Sequence, residues 1–497
     1  MFNATQIKIL IATFFFATVV LFAYFRLKES PSPHGIAIVG EQRIDFSIVE
    51  RSFQLEPKWG KGLTRKQAYY NQLNFLIDQK LLAHEVRKML EKKPDETLRG
   101  MQDFIRRKES IKALYRDEVA AKVFISGQEY EDAYGKLKRK VRLRYFSTPD
   151  SLAAIRYYAM LQMENFENIS LANPVTERKV VSGWMTFGDL VPLFESFVFD
   201  LQPGQVWKPQ KSDGVWYVVQ LADSRVEKFT SAYDFALKKN HLRKIIFERR
   251  ASKIANTFIK ELMEDKDVRL KTGVFNRLYE YFERVVQKRK EQPNAVPPVN
   301  LTDDELNRLS SRVEDIKNLT LATHKNGRLT VGEFLKRLSY MPDALRPKVA
   351  LSTQLKNAIG VIIRNDYLYE LAKKRGLDKL PAVQKEIQYQ SDRLLAAYWR
   401  DNQAKHITVS DRELDSLRNT SVYKKLKKQF TKEPQKAQLE AFLREQKMLG
   451  KKIALLNSLR KQYTIRIDSL EFEKKISDLD KTITYDPAPM IVREQFN

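Results

Sequence analysis

At 497 residues the chain is too long for a single hydrophobic core, and about three domains is the starting expectation. Apolar residues at 43% and charged residues at 30% exclude wholesale disorder, and Lys plus Arg exceed Asp plus Glu by 88 to 62, a formal charge of +26. There is no cysteine, which excludes disulfides, thiol chemistry and Cys-based zinc sites; only 5 histidines occur, none at metal-ligand spacing, and neither a metal nor a cofactor is expected.

Residues 1–7 are a short tail. Ile9 to Phe25 is apolar or small throughout apart from Thr13 and Thr18, with Lys8 before it and Arg26 and Lys28 after it. At 1.5 Å per residue this comes near the ~30 Å of a bilayer core. A cleavage site would need small residues, yet Leu21 stands two before Ala23. The pattern therefore predicts a transmembrane signal-anchor over 8–28 in preference to a cleaved signal. Residues 29–35, with Pro31 and Pro33, read as a linker.

Residues 36–140 read as a helical module. It opens with a strand at Ile36–Val39 and a turn at Gly40–Arg43, and its helix at Leu73–Leu90 carries apolar residues at a near-3.6 period. Residues 141–226 form an insertion: a strand at Val141–Phe146, a helix at Asp150–Met163 and a short turn at Asn165–Ile169. Gly183-Trp184-Met185, a helix at Val191–Phe199, a turn at Leu201–Gly204 and a strand at Val215–Leu221 follow. Residues 227–290 hold a returning helix, and 291–300 are a Pro-rich linker.

Residues 301–470 repeat the first module without the insertion. Asn326–Leu329 answers Gly40–Ile44, Ile359–Leu377 answers Leu73–Leu90, and Ser410 with Glu413 answers Ser126 with Glu129, each at capping-box spacing. Long charged helices over roughly 231–264 and 436–463 lead into Val268–Leu270 and Ile465–Ile467. Residues 471–497 read as a tail.

Gly183-Trp184, Val191-Pro192-Leu193-Phe194-Glu195, the Leu201–Gly204 turn and the final strand stand in the order of the parvulin-type (PpiC-type) prolyl isomerase domain, which the insertion resembles. The wider plan resembles the SurA, PpiD and PrsA families of extracytoplasmic folding factors. That resemblance implies an α+β, mostly α fold: an N-terminal membrane helix, a SurA-N-like helical chaperone module carrying a parvulin-like α/β domain, then a second helical module. It also implies a location at the inner membrane with the bulk in the periplasm, and unfolded or partly folded polypeptides as partners.

The same resemblance locates the chemistry. Prolyl isomerisation lowers a barrier of about 18–20 kcal/mol without a covalent step. The family does this with an apolar proline pocket and a polar network containing two histidines. Tyr145 and Tyr217 stand at the two histidine positions, and Ser182 or Val181 falls near the usual acid. Leu190, Phe194 and nearby Trp184 keep the apolar, substrate-binding half. A phenol both donates and accepts a hydrogen bond, but the lost network points to a degenerate isomerase. Basic residues spread among acids, as at Arg87-Lys88 and Lys373–Arg375, read as solvated helix faces, and no nucleic-acid partner is expected. A membrane-anchored chaperone is the leading reading; an active isomerase and a scaffold in an envelope assembly complex are the alternatives.

Overall fold

The computed structural model describes residues 35–479, except 59, 61, 213, 228–231, 291–299, 350 and 428–433. The expected anchor over 8–28, most of the Pro-rich linker and the chain beyond 479 lie outside the described residues. No helix among those described is long and apolar enough to cross a membrane.

Hairpin β1 (Ala37–Val39) and β2 (Gln42–Ile44) leads into α1 (Phe46–Leu55), α2 (Arg65–Lys92), α3 (Glu96–Glu118) and α4 (Gly127–Lys138). The insertion follows as β3 (Arg139–Thr148), α5 (Ser151–Met163), β4 (Arg178–Met185), α6 (Pro192–Val198), β5 (Val206–Ser212) and β6 (Val215–Val226). Then come α7 (Ala232–Met263), β7 (Arg269–Leu270), α8 (Thr272–Lys290), α9 (Asp303–Arg312), β8 (Thr320–His324) and β9 (Gly327–Thr330). The remainder is α10 (Val331–Ser339), α11 (Ser352–Lys374), α12 (Pro381–Ala404), α13 (Asp411–Arg418), α14 (Ser421–Lys427), α15 (Lys436–Gln462), β10 (Ile465–Ile467) and α16 (Ser469–Asp478). The molecule is mostly helical α+β with small sheets.

Helix starts follow local chemistry. Thr64, Ser126, Thr302 and Thr330 cap α2, α4, α9 and α10 by accepting from the backbone three residues on, while Gln67, Glu129, Glu305 and Glu333 reach back to the cap. Each box satisfies donors that a helix start would otherwise leave open.

The chain divides into two compact units. Among the described residues, one holds the chain up to Ala113, Thr272–Leu321 and residues 329–479; the other holds Leu114–Lys271 with Ala322–Arg328. The core of the first draws Val39, Leu73, Ile77 and Leu81 from the N-terminal region together with Leu395, Trp399, Leu459 and Phe472 from the C-terminal region. Phe472 is fully buried, so residues 471–478, which the sequence reading assigns to a tail, are the last helix of this core. Their apolar residues fall at i and i+4 (Phe472, Ile476), the spacing of one buried helix face.

The sequence reading gives each helical module its own closing strand, but the pairings cross over. In the first unit β10 pairs antiparallel with β1, Ile38 facing Arg466, so the strand that ends the second repeat closes the hairpin of the first. In the second unit β7 pairs with β8, Arg269 facing Thr323, so the strand that ends the first repeat closes the hairpin of the second. Backbone ladders do not read side chains, so sequence period predicts each strand but not its partner.

The second unit contains the insertion as a four-stranded antiparallel sheet, ordered β4-β3-β6-β5. Helix α5 packs on one face, with Tyr157 stacked on Phe146 at 4.4 Å between centroids. On the other face α4, α6 and α7 bury Val141, Leu143, Phe194, Phe197 and Leu242. Strand β5 is absent from the sequence reading: Pro209 and three charged or amide neighbours hide its alternation.

Candidate functional site

Tyr145 lies on β3 and Tyr217 on β6. In the register Tyr145 faces Val219 and Ser147 faces Tyr217, which makes the tyrosines diagonal neighbours on one face of the sheet. Their rings sit 6.1 Å apart, and Phe194 from α6 meets Tyr217 edge-on at 5.2 Å. Among the described residues, neither hydroxyl donates to or accepts from a protein group. Burial, with Tyr217 beside it, raises the Tyr145 phenol above its ordinary value of 10.0, so it stays protonated at physiological pH. Among the described residues, this face offers two phenols and no carboxylate or imidazole beside them.

Leu190 and Phe194 are each only 8% exposed. They belong to a cluster completed by Phe187, Phe197, Val198, Leu242 and, partly buried, Ile245 of α7. Glu195 locks this arrangement: it accepts from the Gly188 backbone at 2.7 Å and pairs with Arg249 of α7, which also donates to the Leu190 carbonyl. Gly188 has φ +103°, and a Cβ there would fall 2.6 Å from Ile245. Sequence reasoning missed this clamp because its partners come from elements 54 residues apart.

Trp184 sits apart from the tyrosine face. It lies on the edge strand β4, 36% exposed, with the Arg225 guanidinium 4.2 Å over its ring. Ser182 fills the break in the β3–β4 ladder, accepting from the Leu143 amide at 2.8 Å and donating to the Gly183 carbonyl. It is a backbone partner at a bulge, not a stand-in for an acid. No group of His, Asp or Glu suited to a metal ion occurs among the described residues.

The first unit holds the larger concavity. Helices α2, α3, α12 and α15 enclose a groove of about 730 Å³ whose apolar wall includes Phe75, Leu82, Met101, Phe104, Leu394 and Leu449. This volume lies within the range of ligand clefts. Met101 and Met448 bring unbranched, polarizable side chains that adapt to irregular apolar partners. Lys108, Arg393, Arg400 and Lys452 line it together with Glu56, Asp78 and Glu445. Tyr340 enters the wall beside Gly100, where a Cβ would fall 2.2 Å from the ring. A second cavity of about 300 Å³, around Arg43, Asp45, Lys80, Lys385 and Asp392, has a largely charged and amide lining.

No family model matches the chain. Curated sequences similar over part of the chain include the chaperone SurA of Nitrosococcus oceani, 28% identical over 83 residues (17% of this chain, 18% of that one), and the chaperone SurA of Bordetella avium, 30% identical over 108 residues (22% and 19%). The chain spans about a fifth of the length of the curated relatives it matches. Among solved structures, the peptidylprolyl isomerase PrsA of Bacillus anthracis aligns with TM-score 0.21 and 16% identity, covering 38% of this chain and 96% of that one. PrsA of Bacillus cereus aligns with TM-score 0.19 and 15% identity, covering 50% and 91%. Superpositions at these scores carry no argument by themselves. By sequence, about a fifth of the chain is similar to SurA chaperones.

Proposed function

We propose that this protein is an extracytoplasmic chaperone that holds unfolded or partly folded polypeptides in the α2–α3–α12–α15 groove. The observation that carries this reading is the groove itself: an open, Met- and Phe-lined concavity of about 730 Å³ with charges of both signs around it. Such a surface suits apolar segments without demanding one sequence. The similarity to SurA chaperones supports the same class and a periplasmic location. The segment 8–28 anchors the chain in the inner membrane, with the bulk outside the cytoplasm.

The inserted domain is parvulin-like but contributes little isomerase activity. Two phenols stand in place of the polar network, and Leu190 and Phe194 are buried in a cluster with Leu242 of α7. Refolding of a protein limited by a slow prolyl bond tests both halves of the proposal. Trace amounts of the chain are expected to leave the slow phase unchanged, and a molar excess to retard folding. Acceleration by trace amounts would establish an active isomerase instead. No effect at either ratio, together with capture of one stoichiometric envelope partner, would favour the scaffold.

A further inference from the structure

The two repeats can be brought into register through their buried positions. At one constant offset Leu73, Leu76, Ile77, Leu82 and Val86 of α2 coincide with Ile359, Ile362, Ile363, Leu368 and Ala372 of α11, all buried. A second constant offset sets Ile111 and Tyr115 of α3 on Leu395 and Trp399 of α12, also all buried, and carries on to the Ser126–Glu129 and Ser410–Glu413 caps. In this register Lys80 corresponds to Asp366, and Lys108, next to Arg107, corresponds to Asp392.

The contacts between these helices run from one repeat to the other. Lys80 of α2 donates to Asp392 of α12 at 2.8 Å, and Arg87 joins it on the same carboxylate. Arg107 of α3 donates to Asp366 of α11 at 3.1 Å and lies 4.6 Å over the Tyr369 ring; Asp366 also accepts from Arg337 of its own repeat. Corresponding positions thus carry opposite charges. The first repeat is basic at both (Lys80; Arg107 and Lys108) and the second acidic at both (Asp366; Asp392).

We propose that this charge reversal fixes the partner of each repeat: the basic first half accepts only the acidic second half. Exchanged strands and helices are a low-cost route to dimers, because a second copy offers the same surfaces. A first half meeting the first half of another chain would set Lys80 against Arg107 and Lys108. Two second halves would set Asp366 against Asp392. Both place like charges at partly or fully buried positions. Asp366 keeps Arg337, and Arg107 keeps Asp103, within its own repeat, but the mixed pairing gives the buried Lys80 and Asp392 their opposite charge and adds Arg107 to Asp366. The interface is therefore specific for the complementary half of the same chain, and the crossed closing strands are held inside one molecule.

The test uses the full chain. Lys80→Asp/Asp392→Lys keeps an opposite-charge pair within the chain but makes each half self-complementary. Arg107→Glu/Lys108→Glu makes the first half self-complementary with Lys80 and sets a carboxylate at position 107 against Asp366 within the chain, at side chains about a third exposed. After unfolding and refolding at low and high concentration, light scattering should give the single-chain mass for the natural protein. Both variants should shift toward twice that mass as concentration rises. Variants that refold with the natural mass at every concentration overturn the proposal, and so does a natural chain that exchanges as readily as they do. If the first variant fails to refold, as read by circular dichroism, the second decides alone.

Discussion

Lys80 Nζ lies 2.8 Å from Asp392 Oδ2, joining residues 312 positions apart, with side chains only 9% and 3% exposed. Gln388 donates to the same carboxylate at 2.8 Å and Gln42 accepts from the lysine, so the pair's remaining capacity is used. Removing one partner leaves the other charge buried. Asp392→Ala should therefore cost about 3–5 kcal/mol, while Lys80→Met/Arg87→Leu/Asp392→Leu together, which also removes the second cation on that carboxylate, should fall close to the natural stability. Urea midpoints of the three proteins check this. A single variant no less stable than the triple would show that the pair contributes nothing specific.

How far the sequence reveals this core depends on the range of the interaction. Capping boxes at Ser126–Glu129 and Thr302–Glu305 are read within four residues, and both form. The period of α2 gives its buried face, because a helix repeats every 3.6 residues whatever it packs on. What Lys80 meets is set by a helix more than three hundred residues away, and an isolated lysine in an apolar stripe carries no mark of its partner. The groove is hidden for the same reason: Phe75, Phe104, Leu394 and Leu449 belong to four helices, and only packing brings them together. Tyr145 and Tyr217 are legible as positions, through the order of motifs around them, but their burial against Phe194 is not.

The tyrosine face makes a separate prediction. With no protein partner on either hydroxyl and the Tyr145 phenol held protonated, removing the hydroxyls should change no rate. Tyr145→Phe/Tyr217→Phe should slow aggregation of a denatured client as well as the natural protein does and should leave prolyl-limited refolding as it was. A measurable loss of slow-phase acceleration in the variant would assign catalysis to these hydroxyls.

Gly188 holds a backbone conformation that side chains with Cβ avoid, at φ +103°, with Ile245 pressed against it. Gly188→Ala should lose about 1–3 kcal/mol, and Ile245→Val should recover only the steric share. Thermal unfolding of the two variants and their combination separates strain from clash. Equal stability of Gly188→Ala and the natural chain would mean that the loop relaxes freely.

His84 stacks on Tyr463 at 4.9 Å, and its Nε2 is buried without a hydrogen-bond partner. Burial first, then the charges of Arg87, Lys80 and Lys88 against that of Asp392, hold its pKa below the ordinary 6.5. The unfolded chain therefore binds this proton more readily than the folded one. The stability contribution is complete above pH 6.5 and is lost progressively as pH falls below it. Denaturation midpoints from neutral pH down to about 5.5 should decline. His84→Phe, which keeps the stack, should flatten that part of the profile, and an unchanged slope would remove His84 as its source.

The groove should respond to change at its rim without loss of fold. Leu449 is 48% exposed, so its side chain is available to a client and contributes little to the core. Leu449→Glu should leave the unfolding midpoint within about 0.5 kcal/mol of the natural value, as exposed substitutions do. It removes apolar contact and sets a second acid near Glu445. A client can bury at most the exposed half of Leu449, worth about 0.7–1.5 kcal/mol, so affinity for an unfolded apolar client should fall roughly three- to tenfold by fluorescence titration. Gly100→Leu attacks the same wall from beneath: a side chain where Tyr340 now rests must displace the ring and narrow or tilt the groove. If both variants fold and both still bind the client as the natural protein does, the client lies elsewhere. The tyrosine face of the inserted domain would then be the next surface to change.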